Sequence, residues 1–118
     1  MSTNNEKIII FGTGNIAGLT IEAWNEKHDG QRMADVIAFV DNDIKKQGKE
    51  YKGKRIITPK QITETEYDYI VIATDLYFRE IYLQLINELK VSKEKILTYD
   101  QFIVLVSFQD KMKSNSRG

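Results

Sequence analysis

No cysteine occurs in the chain, which removes a disulfide framework, a thiolate metal site and a cysteine nucleophile together. Charge of one sign is equally lacking. The 17 basic and 17 acidic side chains cancel to a formal net charge of zero, with a pI of about 6.6. There is therefore no basic footprint for nucleic acid or for an anionic membrane. Apolar runs all fall short of the roughly 18 residues that a membrane span needs, and residues 1–7 are polar where a signal peptide would be apolar. The expectation is a cytoplasmic protein that binds no nucleic acid and inserts in no membrane.

Catalytic groups are also scarce. His28 is the only histidine and falls at a polar helix end. No tyrosine is followed four residues later by lysine, since Tyr51 meets Arg55, so a Tyr-x-x-x-Lys acid/base pair is absent. No strand-turn serine motif, P-loop or metal-ligand spacing appears.

What the chain does have is a glycine turn. Residues 7–18, Lys-Ile-Ile-Ile-Phe-Gly-Thr-Gly-Asn-Ile-Ala-Gly, run from a short apolar strand through glycines into a helix. Gly12 lets the backbone turn sharply, Gly14 leaves room for a phosphate, and Gly18 lets the helix pack close to the sheet. The free amides of the first helical turn would point at that anion, where the helix dipole favours negative charge. A buried strand then leads to Asp41, about 20 residues beyond the glycines, where a carboxylate can accept hydrogen bonds from ribose hydroxyls. Loss of Asp41 is expected to leave fold stability almost unchanged. A turn that keeps its shape without a ligand, and an aspartate that merely ends a strand, remain the alternatives.

The pattern alternates along the chain: strand 7–11, helix 15–27, strand 36–40, an extended piece at 55–57, strand 69–74, helix 76–90 and strand 95–98. Phe78, Ile81, Tyr82, Leu85, Ile86 and Leu89 share one face of the 76–90 helix. Thr58-Pro59-Lys60-Gln61 reads as a capping box with proline at the first helical position. Continuous apolar strands suit a parallel sheet covered on both faces. The expected class is α/β, an open doubly wound parallel sheet of Rossmann type with about five strands and flanking helices. One domain is expected over 7–112, between a flexible N-terminus (1–6) and a disordered tail (113–118).

Three segments carry open alternatives. The lysine- and glycine-rich stretch 44–54 is either a basic lip beside a phosphate site or, as preferred here, a solvated loop. The apolar run Phe102-Ile103-Val104-Leu105-Val106 reads as a helix capped by Asp100; it either covers the sheet or faces a second copy or a downstream catalytic domain. Trp24 reads as core.

Ligands of open parallel sheets bind beyond the strand ends, where the winding reverses. The candidate site therefore joins Gly12, Thr13, Gly14, Asn15 and Ile16 to Asp41 and Asn42, with Thr74 and Asp75 from the other side. Thr74 and Asp75 serve equally well as caps of the following helix, and Tyr77 and Arg79 are isolated candidates for an anion contact.

Taken in order, Ile10-Phe11-Gly12-Thr13-Gly14-Asn15, Phe39-Val40-Asp41-Asn42-Asp43, Gly53-Lys54-Arg55-Ile56-Ile57-Thr58-Pro59 and Asp68-Tyr69-Ile70-Val71-Ile72-Ala73-Thr74 form a set. It resembles the Rossmann-like N-terminal domains of bacterial polysaccharide-biosynthesis proteins, which precede nucleotide-sugar dehydratases and epimerases, sugar acyltransferases and some sugar methyltransferases. The resemblance covers residues 7–100. It implies a small nucleotide ligand, NAD or a UDP-sugar, held by a module with no catalytic residues of its own. Ala17 stands at the tighter third position of the glycine pattern, which leaves the choice of ligand open. The alternatives are a regulatory NAD-sensing domain of a transporter or channel, and a complete small oxidoreductase.

Overall fold

The structure is a computed structural model that describes residues 6–27 and 34–104, with side chains over 6–22 and 35–104. Expectations for residues 1–5, His28, the Trp24 side chain, Leu105, Val106 and the tail lie outside the described residues.

Strands β1 (Glu6–Phe11), β2 (Ala34–Val40), β3 (Glu50–Tyr51), β4 (Lys54–Ile57), β5 (Tyr69–Ile72) and β6 (Ile96–Thr98) form one sheet in the order β3-β4-β2-β1-β5-β6. All neighbours run parallel except β3 and β4. Helix α1 (Asn15–Lys27) joins β1 to β2. A 3₁₀ helix (Pro59–Glu64) makes the crossing from β4 to β5. Helix α2 (Phe78–Leu83) continues into a π-helical turn (Gln84–Glu88) before β6, and residues 99–104 form a last helical segment, α3. This is the doubly wound Rossmann-like arrangement, with six strands rather than about five.

The additional strand comes from the lysine-glycine stretch. Lys52 (φ 53°) and Gly53 (φ 83°) both take positive φ, the requirement of a tight two-residue hairpin turn. The preferred reading as a solvated loop holds for 44–49, an exposed turn in which only Gln47 is half-buried, and gives way over 50–54 to a short antiparallel hairpin on the β4 edge. Lysine in place of asparagine or aspartate before the glycine makes the signal faint.

Two apolar layers lie on opposite faces. Ile8, Ile10, Val36, Phe39, Ile56 and Val71 pack with Ala17 and Ile21 of α1 and Phe102 of α3. Ile9, Phe11, Val40, Ile70, Ile72 and Ile96 pack with Ile62, with Ile81 of α2 and with Leu85. The residues expected on one helical face over 76–90 do meet the sheet: Ile81 and Leu85 are buried, and Phe78, Tyr82, Ile86 and Leu89 pack beside them. The helix itself begins at Phe78 rather than Leu76.

Strand β2 does not alternate evenly. Its register against β1 slips between Ile8 and Ile9, so Ile8 faces Val36 and Ile9 faces Ala38. The inserted residue carries Phe39 onto the α1 side and Val40 onto the α2 side, reversing what strict alternation from Val36 would give.

Capping is local and reciprocal. Thr58 Oγ1 accepts from the Gln61 amide at 3.1 Å while the Gln61 side chain accepts from the Thr58 amide at 2.8 Å, as the sequence predicts. A second capping box opens α3: Thr98 Oγ1 accepts from the Gln101 amide at 3.0 Å, and Gln101 Oε1 accepts from the Thr98 amide at 2.9 Å. The cap of α3 is therefore Thr98, not Asp100. A Thr-x-x-Gln pair fills two orphan amide groups at once, which a lone aspartate inside the helix does not.

Candidate functional site

The chain leaves β1 at Phe11 and turns through Gly12, whose φ of 119° is one that L side chains rarely adopt. The Gly12 amide donates to the Val40 carbonyl at 2.7 Å, and the Ala73 amide donates to the Phe11 carbonyl at 2.9 Å. The turn is thus pinned between β2 and β5. A Cβ at residue 12 would lie 3.1 Å from the Ala73 carbonyl oxygen. Gly12→Ala is expected to cost about 1–3 kcal/mol of stability through backbone strain, measurable by urea unfolding; an unchanged midpoint would remove the strain argument.

Gly14 differs in kind. A Cβ built there meets nothing within 4 Å. Its glycine leaves open space at the start of α1, whose first turn carries no acidic residue. Gly18 has another neighbour than expected: its Cβ position would lie 3.2 Å from the Tyr51 hydroxyl rather than against the main sheet. The residue that packs on the sheet is Ala17, fully buried in the α1 layer. In packing terms the pattern is Gly-x-Gly-x-x-Ala.

Tyr51 buttresses this turn from outside. Its ring meets Phe39 edge-on with centroids 5.0 Å apart, and its hydroxyl donates to the Gly14 carbonyl at 3.2 Å. The hairpin places that tyrosine against the turn, a contact no sequence motif announces.

Between β1 and β5, beyond the strand ends, lies an open cleft of about 930 Å³. Gly12, Thr13, Gly14, Asn15 and Ile16 line one side, Asp41 and Asn42 a second, and Thr74 and Asp75 a third. All nine sequence-predicted positions thus border a single cavity, joined by Asp43, Lys46, Leu76, Tyr77 and Glu80. Arg79 is exposed and lies outside that lining.

The Asp41 carboxylate is already in use. One oxygen accepts from the Thr13 hydroxyl at 2.7 Å and the other from the Asp43 amide at 2.8 Å. A carboxylate offers about four acceptor sites, so room remains for hydroxyl donors. Its removal would free a part-buried hydroxyl and a turn amide, so a loss of stability is expected in place of the almost unchanged stability read from the sequence. Asn42 exchanges two amide hydrogen bonds with Gln84, at 3.1 and 3.0 Å, tying the β2 loop to the π-helical turn. Thr74 and Asp75 do not cap α2, whose N-cap is Tyr77 with no side-chain cap bond. The Asp75 carbonyl accepts from the Phe78 amide at 3.4 Å, while the side chains of Thr74 and Asp75 border the cleft without a hydrogen bond to a described residue.

Charge across the cleft is uneven. The α1 N-terminus and Lys46 supply positive potential beside the glycine turn, whereas Asp41, Asp43, Asp75 and Glu80 stand on the remaining walls. A polyanion would settle on the α1 side; hydroxyl-rich or cationic groups suit the opposite side. Lys46 was visible in the sequence only as one of several lysines, since nothing in the composition tells which one reaches inward.

A family model described as C2185-like, N-terminal, matches residues 4–97. The chain belongs to the C2185-like N-terminal domain family. Among solved structures, it is similar to UDP-D-quinovosamine 4-dehydrogenase from Vibrio fischeri, with a TM-score of 0.57 and 21% identity over 80% of this chain and 77% of that one. At that identity the likeness concerns the fold. No curated protein matches the sequence. Among the described residues no helix is long and apolar enough to cross a membrane, and no group of acidic or imidazole side chains could hold a metal ion.

Proposed function

We propose that this domain binds a nucleotide, NAD or a UDP-sugar, in the service of a nucleotide-sugar enzyme, without catalytic residues of its own. The observation that carries the reading is the open Cβ position of Gly14 at the switch point of the sheet, with the Asp41 carboxylate on the adjoining wall. Diphosphate oxygens would take the free amides of α1, and the ribose would approach Asp41. The similar dehydrogenase is named for a UDP-sugar, which supports the sugar-nucleotide context. A thermal-shift panel of NAD, NADP, UDP-sugars and CoA tests it. A ligand at 100 times its Kd adds about 2.7 kcal/mol of stability, whereas a panel without any shift would sink the proposal.

Asp41 should also set ligand choice. Its charge would repel a 2′-phosphate, so NAD is expected to bind more tightly than NADP. Asp41→Ala should weaken the preferred ligand by about 1–3 kcal/mol and, through the lost Thr13 and Asp43 bonds, lower stability by about 1–2 kcal/mol. Calorimetric titration separates the two effects, and equal affinities in wild type and variant would leave Asp41 with a structural role only.

A further inference from the structure

We propose that Lys46 is the residue by which the cleft reads a diphosphate, moving from Thr13 to the ligand on binding; the inference rests on the nucleotide-binding reading above. Lys46 Nζ donates to Thr13 Oγ1 at 3.2 Å, and Thr13 donates in turn to Asp41 at 2.7 Å. Thr13 sits between the two turn glycines and is 9% exposed, so the ammonium is held at the place where phosphates would approach.

The reach of this lysine is set by its loop. The Lys45 amide donates to the Asp43 carboxylate at 2.9 Å, the Lys46 amide to the Asp43 carbonyl at 2.9 Å, and the Gln47 side chain to the Asp41 carbonyl at 2.9 Å. Three short bonds thus fold residues 41–47 back over the β2 end. Lys45 and Lys49 do not line the cleft.

The ammonium makes no direct ion pair. No carboxylate among the described residues lies within 4.0 Å of Lys46 Nζ, and its one side-chain partner is the neutral Thr13 hydroxyl. Lys46 is also the one cationic side chain lining the cleft among the described residues, beside the carboxylates of Asp41, Asp43, Asp75 and Glu80. A diphosphodiester brings two negative charges. The α1 terminus offers roughly half a positive charge, so without Lys46 those charges would meet walls of their own sign. A lysine on a flexible stem with three donors can give up a hydroxyl for a phosphate oxygen at little cost. Thr13 keeps its own proton on Asp41 in that exchange, so the ribose-facing carboxylate stays in place. Nucleoside recognition and diphosphate recognition are then separable.

The test titrates the full chain with inorganic pyrophosphate, with the tightest nucleotide of the panel and with its parent nucleoside. Lys46→Met is expected to weaken pyrophosphate and nucleotide by roughly tenfold or more and to leave the nucleoside unchanged, with Lys46→Arg retaining most of the affinity. Lys45→Met and Lys49→Met should stay within about twofold of wild type. Lys46 is exposed, so an unaltered melting temperature should accompany the loss. Nucleotide binding that is equal in wild type and Lys46→Met overturns the inference while the nucleotide-binding reading stands. A loss confined to NADP also overturns it, by making Lys46 a reader of the 2′-phosphate. Pyrophosphate bound through Lys46 without any nucleotide affinity upholds the anion role and removes the nucleotide reading, and a wild type that binds neither removes both.

Discussion

Gly14→Val is expected to give a folded protein that no longer binds nucleotide. A Cβ at residue 14 has nothing within 4 Å, so the branch point of the valine enters open space and the fold should tolerate it. Its two methyl groups would occupy the space beside the α1 amides that the phosphates need. A phosphate displaced from those amides forfeits charge-assisted hydrogen bonds of about 1.5–3 kcal/mol each, which amounts to a loss of about a hundredfold or more in affinity. The melting temperature should stay close to wild type. Titration with the best ligand of the thermal-shift panel, beside a melting curve, provides both readouts; a folded variant of unchanged affinity would move the phosphates away from this turn. The contrast with Gly12 sharpens the test, since there the fold and not the ligand demands glycine.

Phe102→Ala should produce the largest loss of stability. Phe102 is fully buried in the α1 layer with Ile8, Ile10 and Val71, while Ile103 packs at its margin and Val104 remains 65% exposed. Emptying a buried phenyl site costs about 3–5 kcal/mol, a large share of the roughly 5–15 kcal/mol that holds a domain together. Val104→Lys, on the exposed side of the same segment, should change stability by less than about 0.5 kcal/mol. Urea unfolding of the pair decides whether α3 belongs to the core. Near-equal midpoints would return the segment to the role of an interface strip.

Several features could be read directly from residue order because they are local. Apolar runs give β1 and β5, the 3.6-residue spacing from Phe78 to Leu89 gives the face that covers the sheet, and Thr58-Pro59-Lys60-Gln61 gives its own capping box. The nine positions proposed for the site border one cleft because the strand order puts the ends of β1, β2 and β5 side by side. Other features depend on partners distant in sequence. Tyr51 finds Gly14 and Phe39 only once the hairpin closes on β4, and Gln84 finds Asn42 only across the β2 loop. The Thr98 cap escapes a sequence reading for a different reason, since Asp100 offers a plausible local rival two residues too late.

Sequence by itself determined the class of fold, the glycine turn and the carboxylate after the second strand, because each depends on periodicity or on the conformational freedom of single residues. Tertiary structure decided where those parts point. The irregularity in β2 shifts Phe39 to the α1 side and Val40 to the α2 side, which brings Asp41, next in the alternation, round to the Thr13 hydroxyl. An evenly alternating strand would have turned that carboxylate toward α2. Lys46 likewise entered the site through hydrogen bonds of its loop to Asp41 and Asp43, not through any motif. A one-residue slip between neighbouring strands leaves no mark in composition or spacing, since it is fixed by how two buried faces fill at once.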